Sequence, residues 1–583
     1  MHLDLLPPPQ RIKWLNGFAS SKTTRQITAS VGRLETGAYR VNIQPDGTTL
    51  TAADAVGLFY AEQTLAQIDK QYPDARPCLE ILDWPAFPVR GFYHDVTRGK
   101  VPTLKTLMEL AETCARYKIN HLELYIEHTY AYKNHPEVWA GADPLTADDI
   151  RTLDARCAEL HIDLVPSFST FGHFYTWIHH KFPELNELER DVSPDPFCWW
   201  DRMMHYTLDC QNPRSIALVR EIIQEVRPLF RSKYFNVCCD ETFDLGKGRN
   251  KALASTVGNG RLYVDFLKNI LLAVHEAGAM PLFWGDIIGH YPELLNELPK
   301  DAIALDWDYS AALKDTKCEL IAKAERPFYI CPGISGWNGW LPDYSTAQKN
   351  ITRFARKGKL QGASGLLNTD WGDYGHINTL GPSLPGIIIG ASAAWHPTSA
   401  TLVPTKLFPI LSRTVLGDKS GTLLGLLAEF ASAKKATWQM FCWCHQPRSL
   451  DFPASWFESD SGLPGGLFKH TAREHRAALA KMLSLETPIR QLLDQCKPQD
   501  PLILEEIAIG ILGLEVLEEY HLIHFRKTGK TKIDGPTPAA TAVRLRNLEQ
   551  RLSAVWLARN KPSEYYRIKD VLLAAACQFE SQI

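Results

Sequence analysis

Residues 234–241 read YFNVCCDE, a short apolar run that ends in two adjacent acids, Asp240 and Glu241. Such a run, without polar alternation, is typical of a strand whose two faces are both buried in a parallel sheet. Similar runs recur along the chain between residues 89 and 370. Together they predict strands at Val89–Val96, His121–Glu127, Ile162–Phe168, Tyr234–Glu241, Pro281–Ile287, Ala302–Tyr309, Phe328–Gly333 and Ser364–Asp370.

Helical patterns separate most of these strands. They cover Thr103–Tyr117, Ala147–His161, Pro213–Phe230, Arg261–Ala277 and Ser345–Lys357. Eight strand–helix units in about 300 residues favour a closed (β/α)8 barrel, a TIM barrel, over an open doubly wound sheet. An open sheet of that kind is also expected to carry a glycine-rich turn after its first strand. Here the first strand ends in TRGK, residues 97–100, so the α/β barrel is the prediction.

The regions that flank the barrel predict two further domains. Before it, Tyr39–Ile43 alternates like a strand and Ala55–Ile68 has the period of an amphipathic helix, which indicates a small α+β domain. After it, strand signals fade and long helical patterns follow, which indicates a helical domain and a candidate surface for a homodimer. We therefore expect an N-terminal accessory domain over residues 1–85, a barrel over residues 86–400 and a C-terminal helical domain over residues 401–583.

Composition excludes several classes of function. Lys and Arg total 63 against 66 Asp and Glu, and no basic stripe or polybasic patch indicates nucleic acid or a membrane surface as a partner. The first 17 residues hold three prolines and no long apolar run, unlike a secretion signal. The 13 cysteines are scattered, mostly inside apolar segments, rather than arranged as a disulfide framework. We therefore expect a cytoplasmic protein.

The carboxyl ends of the predicted strands carry the candidate functional residues, because active sites of such barrels lie there. Asp95 and Arg98 follow the first strand, and Asp240 and Glu241 end the fourth. Two acids that end a buried strand cost free energy unless they are paired or used; a structural pair that contacts loop amides or a basic residue is the alternative. Neighbours on a strand point in opposite directions, so these acids do not fit the ~5 Å acid–nucleophile pair of an ordinary retaining glycosidase. Glu241 would instead protonate a leaving oxygen, while Asp240 holds a substrate amide that attacks the anomeric carbon.

The segment VCCDETFDLGKG, residues 237–248, resembles the catalytic Asp-Glu segment of family 20 glycoside hydrolases, the β-N-acetylhexosaminidases. It looks most similar to their intracellular, hexosaminidase D-like branch. Other segments resemble the first, third, fifth and sixth barrel strands and the accessory domain of that family, namely residues 89–98, 165–173, 281–286, 306–309, 6–10 and 57–65. One departure concerns residues 236–239, which read NVCC where many members have His-x-Gly-Gly.

The resemblance implies an exo-acting hydrolase that removes terminal β-linked GlcNAc or GalNAc from a glycan, with retention of configuration and without a cofactor or metal. In that mechanism the acetamido group of the substrate attacks the anomeric carbon. Glu241 is first the general acid and then the general base for water. Asp240 holds the acetamido N–H and stabilises the oxazolinium intermediate.

The resemblance and the strand ends also suggest residues that bind the substrate. Arg90 would clamp ring hydroxyls, His173 would orient a catalytic acid and Asp373 would bind a hydroxyl; the alternatives are a salt bridge inside the barrel, a structural histidine and a loop cap. Tryptophans at strand ends would wall the N-acetyl group, with core packing as the alternative. Tyr309, or else Tyr344, would donate a hydrogen bond to the acetamido carbonyl. The full set is Arg90, Glu127, His173, Trp284, Trp307, Tyr309, Trp337, Trp371 and Asp373.

Two other classes of function compete with this interpretation. A metal-dependent hydrolase on the same barrel would use as ligands His128, His173, Asp286 and Asp373, but no tight ligand pair such as His-x-His supports it. A sugar-binding protein without turnover would keep the pocket, but the intact pair of Asp240 and Glu241 argues against it.

Overall fold

The computed structural model describes residues 3–20, 22–29, 36–189, 197–446, 470–527 and 535–581. A five-stranded sheet comes first, formed by β1 (Arg11–Phe18), β2 (Thr24–Thr28), β3 (Tyr39–Gln44), β4 (Gly47–Ala52) and β5 (Pro77–Asp83) in the order β1-β5-β3-β4-β2. Helix α1 (Ala55–Gln71) follows Asp54, whose carboxylate accepts a hydrogen bond from Gly57 N and so caps the helix. The helix buries Tyr60, Leu65 and Ile68 against the sheet, which makes the α+β domain that the sequence predicts.

Eight parallel strands close into a barrel, and this confirms the prediction. They are β6 (Val89–Asp95), β7 (His121–Ile126), β8 (Asp163–Phe168), β9 (Tyr234–Asn236), β10 (Met280–Trp284), β11 (Ile303–Trp307), β12 (Phe328–Cys331) and β13 (Gly365–Asp370). Pairing of β13 with β6 closes the ring. Nearly every residue of these strands is buried, which explains why the runs lack polar alternation.

β9 differs most from its predicted bounds. It ends at Asn236 rather than at Glu241. The amide oxygen of Asn236 accepts a hydrogen bond from Cys238 N (2.9 Å), and Cys238 and Cys239 then adopt left-handed backbone angles, φ 59° and φ 68°. Asp240 and Glu241 therefore lie on a turn beyond the strand, where the alternation of side chains along a strand no longer applies.

Helices lie between the barrel strands. They are α2 (Leu104–Arg116), α3 (Pro136–Trp139), α4 (Ala147–Glu159), α5 (Tyr175–His180), α6 (Trp199–Arg202), α7 (Pro213–Val226), α8 (Lys251–Val257), α9 (Asn259–Glu276), α10 (Cys318–Lys323), α11 (Tyr344–Leu360) and α12 (Leu380–Trp395). The predicted helices correspond to α2, α4, α7, α9 and α11. The short helices α5 and α6 belong to the long connection between β8 and α7, which reaches the carboxyl ends of the strands.

The last part of the chain is helical, as predicted. Its helices are α13 (Pro404–Thr414), α14 (Leu423–Ser432), α15 (Trp438–His445), α16 (Ala472–Leu493), α17 (Leu502–Lys527), α18 (Pro538–Arg559) and α19 (Tyr565–Glu580). This region packs directly on the barrel, where Lys561 N donates a hydrogen bond to Val101 O (2.9 Å). Close contact requires glycine, since a Cβ on Gly513 of α17 would lie 2.3 Å from the indole of Trp340. Within the described part of the chain, we find no helix with both the length and the apolar character that a membrane crossing requires.

Arg90 lies at the end of the barrel opposite the carboxyl ends of the strands. It is the second residue of β6, and its guanidinium is buried. The groups that accept its hydrogen bonds are the backbone oxygens of Lys118, Phe87 and Pro88 and the hydroxyl of Tyr60. The expectation that Arg90 clamps sugar hydroxyls is therefore wrong. A side chain at the amino end of a strand points away from the site, and this one joins the barrel to α1 of the accessory domain.

Replacing Arg90 with Ala should destabilise the protein. The substitution leaves buried acceptors without a donor, and each such group costs about 1–3 kcal/mol. We expect the urea midpoint of unfolding to fall clearly. The matched control is Arg40→Ala, which removes an exposed guanidinium from β3 and should leave the midpoint unchanged. Equal midpoints for the two variants would contradict this role of Arg90.

Candidate active site

The turn after β9 brings two acids to the mouth of the barrel. Trp284 N donates a hydrogen bond to Cys238 O (2.9 Å), and Tyr263 OH donates one to Cys239 O (3.0 Å). Glu241 itself has φ 49°, which is also left-handed. Each such residue that is not glycine costs about 1–3 kcal/mol, so the surrounding contacts must hold the turn. Strain concentrated on one short segment is typical of a functional site.

One histidine contacts both acids. His173 Nε2 lies 3.6 Å from Asp240 Oδ2 and 3.6 Å from Glu241 Oε2. The two carboxylates therefore lie on the same side of the pocket, which corrects the expectation that they point in opposite directions. The left-handed turn is the physical reason. Burial alone would lower the pKa of His173, but the carboxylate of Asp240 outweighs it and the pKa is raised.

His205 is a site residue that the sequence analysis missed. Its Nδ1 lies 3.6 Å from Glu241 Oε2, and its carbonyl accepts a hydrogen bond from His173 N (2.5 Å). It lies on the long connection before α7, away from any strand end, so no local signal marked it. Burial and the charge of His173 lower the pKa of His205 to about 4. His205 is therefore a neutral ring at neutral pH.

Glu241 lies in a pocket that favours its protonated form. Burial of the carboxyl raises the pKa of Glu241, and the charge of Asp240 adds to this effect. Asp286, two residues beyond β10, accepts a hydrogen bond from Glu241 N (3.0 Å). Burial and the charge of Asp240 raise the pKa of Asp286 to about 8. Three carboxyl groups thus share one pocket, where full ionisation is unfavourable.

Arg98 lies where Arg90 was expected. Its Nη1 donates a hydrogen bond to Asp373 Oδ1 (2.6 Å), and its Nε lies 3.4 Å from Glu127 Oε1. Glu127 also accepts a hydrogen bond from Arg202. Burial would raise the pKa of Glu127, but the two guanidinium groups hold it at about 2. The structure therefore brings Glu127 and Asp373 together around Arg98, which the sequence placed after the first barrel strand without a binding role.

Aromatic rings form another part of the pocket, with Tyr309 at their centre. The ring of Tyr309 stacks on Trp307 with centroids 5.2 Å apart, and it lies 4.8 Å from the ring of Trp337. Its hydroxyl accepts a hydrogen bond from Trp371 Nε1 (2.6 Å). Trp371 in turn lies 5.7 Å from Trp284, which is fully buried inside the barrel. All four predicted tryptophans thus join one group, with Trp284 as its deepest member.

Other candidates from the sequence lie apart from this group. Tyr344, at the start of α11, is buried and its hydroxyl donates a hydrogen bond to Pro382 O (3.0 Å). Among the described residues, the sets of three His, Asp or Glu side chains whose ligand atoms lie within 4.8 Å of one another are His94, Asp370, His376 and His173, His205, Glu241. His128, Asp286 and Asp373 belong to neither set, so the four expected metal ligands do not converge.

Two family models match the chain. The model described as "Glycosyl hydrolase family 20, catalytic domain" matches residues 87–355, and the model described as "Glycosyl hydrolase family 20, domain 2" matches residues 10–84. The chain belongs to glycosyl hydrolase family 20. The first model spans the strands β6 to β12 and includes Asp240, Glu241 and Arg98, and the second spans the five-stranded sheet.

Curated relatives of this family 20 chain match parts of it. A beta-hexosaminidase of Akkermansia muciniphila is 28% identical over an alignment of 203 residues that covers 31% of this chain and 40% of the relative. Hexosaminidase D of Bos taurus is 20% identical over an alignment of 309 residues that covers 49% of this chain and 86% of the relative. The chain spans less than half the length of several relatives that it matches, 40%, 27% and 39% for three of them.

Solved structures of similar fold cover more of the chain. The X-ray structure of Flavobacterium johnsoniae chitobiase has a TM-score of 0.58 at 15% identity and covers 95% of this chain and 99% of its own. The crystal structure of a beta-N-acetylhexosaminidase has a TM-score of 0.58 at 20% identity and covers 71% of this chain and 96% of its own. At these identities the likeness shows the fold alone.

The C-terminal helices reach the pocket through a chain of hydrogen bonds. Glu564, one residue before α19, accepts a hydrogen bond from His128 Nε2 (3.2 Å). His128 Nδ1 lies 3.3 Å from Thr97 Oγ1, and that oxygen accepts a hydrogen bond from Glu127 N (3.1 Å). The pKa of Glu564 is held at about 2, although burial would raise it, because positive side chains surround it. The helical region therefore supports the strand ends that carry Arg98 and Glu127.

Replacing Glu564 with Ala should lower the activity, although Glu564 acts on the pocket only through His128 and Thr97. Without the Glu564 carboxylate, His128 loses its hydrogen-bond partner and no longer holds Thr97, which contacts the backbone of Glu127. A misplacement of a site residue by about 1 Å can cost up to ~100-fold in rate. We expect kcat/KM to fall roughly 10- to 100-fold while the fold persists. The control is Glu549→Ala, which removes an acid that Tyr565 OH contacts at 3.3 Å beside the same helix. Similar losses in both variants would mean a general loss of packing instead.

Proposed function

We propose that this family 20 chain is an exo-acting β-N-acetylhexosaminidase. It removes a terminal β-linked GlcNAc or GalNAc from a glycan and retains the anomeric configuration, with the acetamido group of the substrate as nucleophile. The observation that carries the proposal is the contact of His173 Nε2 with the carboxylates of both Asp240 and Glu241, at 3.6 Å each. Two acids on one side of a pocket cannot flank a glycosidic bond from opposite faces, as an ordinary acid–nucleophile pair does.

Glu241 serves as the general acid. Its raised pKa keeps a proton on the carboxyl at a pH where an ordinary glutamate has lost it. The proton goes to the glycosidic oxygen as the bond to the leaving group breaks. The resulting carboxylate then takes a proton from the water that opens the oxazolinium ring, so Glu241 regains its starting form.

Asp240 holds the nucleophile. Its Oδ1 is buried and has no hydrogen-bond partner among the described residues, so it can accept the acetamido N–H. That contact directs the acetamido oxygen towards the anomeric carbon. The negative charge of Asp240 stabilises the positive oxazolinium, and the effect is strong because the side chain is only 10% exposed.

The cluster of aromatic side chains around Tyr309 excludes water from the oxazolinium intermediate. Trp307, Trp337 and Trp371 surround Tyr309, and together they offer an apolar wall for the N-acetyl methyl group. The Tyr309 oxygen accepts the N–H of Trp371, so its own O–H can donate to the acetamido carbonyl. The 2-acetamido group is a requirement of the mechanism because it is the nucleophile, and this wall shields it from water.

Arg98, Glu127 and Asp373 bind ring hydroxyls. The planar guanidinium of Arg98 suits paired contacts with neighbouring hydroxyls, and its position is fixed by Asp373 at 2.6 Å. Glu127 stays ionised between two arginines, so it can accept a hydroxyl proton in a hydrogen bond. This assignment transfers to Arg98 the role that the sequence had suggested for Arg90.

A panel of aryl β-glycosides tests the proposed activity. The sugars are GlcNAc, GalNAc, 6-sulfated GlcNAc and glucose. We expect release from heads that carry the 2-acetamido group and none from glucose, which lacks the nucleophile. Comparable release from glucose would contradict the mechanism, and binding of GlcNAc without any release would identify a sugar-binding protein.

Two substitutions test the division of labour between the acids. Glu241→Gln should abolish turnover of natural linkages but spare activated aryl glycosides in part, because a good leaving group needs no proton. Asp240→Asn should slow both by roughly 10²–10³-fold, since charge stabilisation is lost in every case. Glu62→Gln, an exposed acid on α1 of the accessory domain, serves as control. A thiazoline analogue of the sugar should inhibit the unmodified enzyme strongly; failure to inhibit would exclude participation of the acetamido group.

The pH profile should follow the protonation of Glu241. Activity falls as the pH rises through its raised pKa, because the general acid must carry a proton. The charge of His173 lowers that pKa, so His173→Asn should move the alkaline limb of kcat/KM to higher pH. The control is His275→Asn, a histidine that contacts Asp301 on the far surface. If the alkaline limb does not move, His173 has no influence on the pKa of Glu241.

We also propose a cytoplasmic location and a homodimer formed through the C-terminal helical domain. Buried thiols such as Cys114, Cys157 and Cys331, none of them in a disulfide, support a reducing compartment. The homodimer and the domain boundaries at residues 85 and 400 rest on the sequence patterns.

A further inference from the structure

Two histidine rings flank the carboxylate of Glu241. His173 Nε2 and His205 Nδ1 each lie 3.6 Å from Glu241 Oε2. Both nitrogens are buried, and neither has a hydrogen-bond partner among the described residues. The catalytic role proposed above uses the proton of Glu241, and it leaves two imidazole nitrogens aimed at one carboxylate oxygen.

The spacing of these atoms suits a small cation with tetrahedral coordination. Zinc bonds nitrogen and oxygen ligands at about 2.0–2.1 Å, which places neighbouring ligand atoms roughly 3.3–3.4 Å apart. The two separations from Glu241 Oε2, 3.6 Å each, exceed this spacing by only a few tenths of an ångström. All three ligand atoms lie within 4.8 Å of one another. Two imidazoles and one carboxylate favour zinc over magnesium, which prefers oxygen ligands alone.

The charge around this point also favours a cation. The acids of the pocket are Asp95, Glu127, Asp240, Glu241, Asp286 and Asp373, against the guanidinium groups of Arg98 and Arg202. Glu127 and Asp373 are already paired with arginine, whereas Asp240 and Glu241 contact only histidine among the ion pairs of the described residues. A divalent ion beside Glu241 is therefore attracted by carboxylates that no arginine neutralises.

We propose that His173, His205 and Glu241 form a zinc-binding site that switches the enzyme off. Zinc binds the carboxylate form of Glu241, so the catalytic proton is released to solvent, and the ion occupies the space where the glycosidic oxygen would lie. Substrate and metal then exclude each other, and removal of the metal restores activity. The metal site stands on geometry alone, while its effect on turnover rests on the proposed function.

Direct binding tests the site. Chelator-treated protein is titrated with Zn²⁺ by calorimetry, and Co²⁺ is added separately to record its visible absorption. We expect one site of micromolar affinity or tighter, a tetrahedral cobalt spectrum and no binding of Mg²⁺ at the same concentration. His205→Asn and Glu241→Gln should each weaken zinc binding about tenfold or more, since each removes one ligand. His275→Asn, a surface histidine beside Asp301, should bind zinc like the unmodified protein.

Competition tests the switch. A thiazoline sugar analogue should displace zinc from the unmodified protein, and zinc should inhibit hydrolysis until a chelator is added. No zinc binding, or binding that the ligand variants and the sugar analogue leave unchanged, would overturn the proposal. A protein that binds zinc at these residues but hydrolyses no glycoside would leave the metal site intact and refute the proposed activity instead. Active protein that zinc does not inhibit would refute the switch alone.

Discussion

The left-handed turn that ends β9 is the constraint on which the active site depends. A strand that continued to residue 241 would send Asp240 and Glu241 to opposite faces of the barrel wall. The turn instead places both carboxylates 3.6 Å from one nitrogen of His173. No glycine eases it, so contacts from β10 and α9, through Trp284 and Tyr263, hold the strained backbone. This placement of both acids on one side is the basis of the proposed mechanism, in which the substrate carries the nucleophile.

Electrostatic surroundings separate the roles of chemically similar acids. Glu127 lies between two arginines, and its low pKa keeps it an acceptor. Glu241 has histidines and another acid as neighbours, and its raised pKa suits the general acid of the proposed mechanism. The proposed metal site uses Glu241 rather than Glu127 because two arginines already pair with Glu127. Burial strengthens both effects, because charges interact more strongly where water is excluded.

The barrel is held from both ends by the regions that flank it. At the amino ends of the strands, Arg90 ties β6 to Tyr60 of the accessory domain. At the carboxyl ends, Glu564 of the helical region connects through His128 and Thr97 to the backbone of Glu127. Arg90 and Arg98 thus have different roles. Arg90 joins the barrel to the accessory domain, and Arg98 contacts Asp373 and Glu127 in the pocket.

Local patterns were sufficient to predict the eight strands and the flanking domains, and they indicated that Asp240 and Glu241 lie at the mouth of the barrel. Burial on both faces of a strand and polar residues at its end are visible in the sequence itself. Local patterns were insufficient for His205, which reaches Glu241 from a long connection, and for the choice between Arg90 and Arg98, which depends on the direction in which each side chain leaves the barrel. Local patterns also predicted the wrong relative orientation of the two acids. The backbone leaves the strand conformation at Cys238 and Cys239, whose carbonyls accept hydrogen bonds from Trp284 and Tyr263. Those contacts join residues that are distant along the chain, so they form only when the barrel closes.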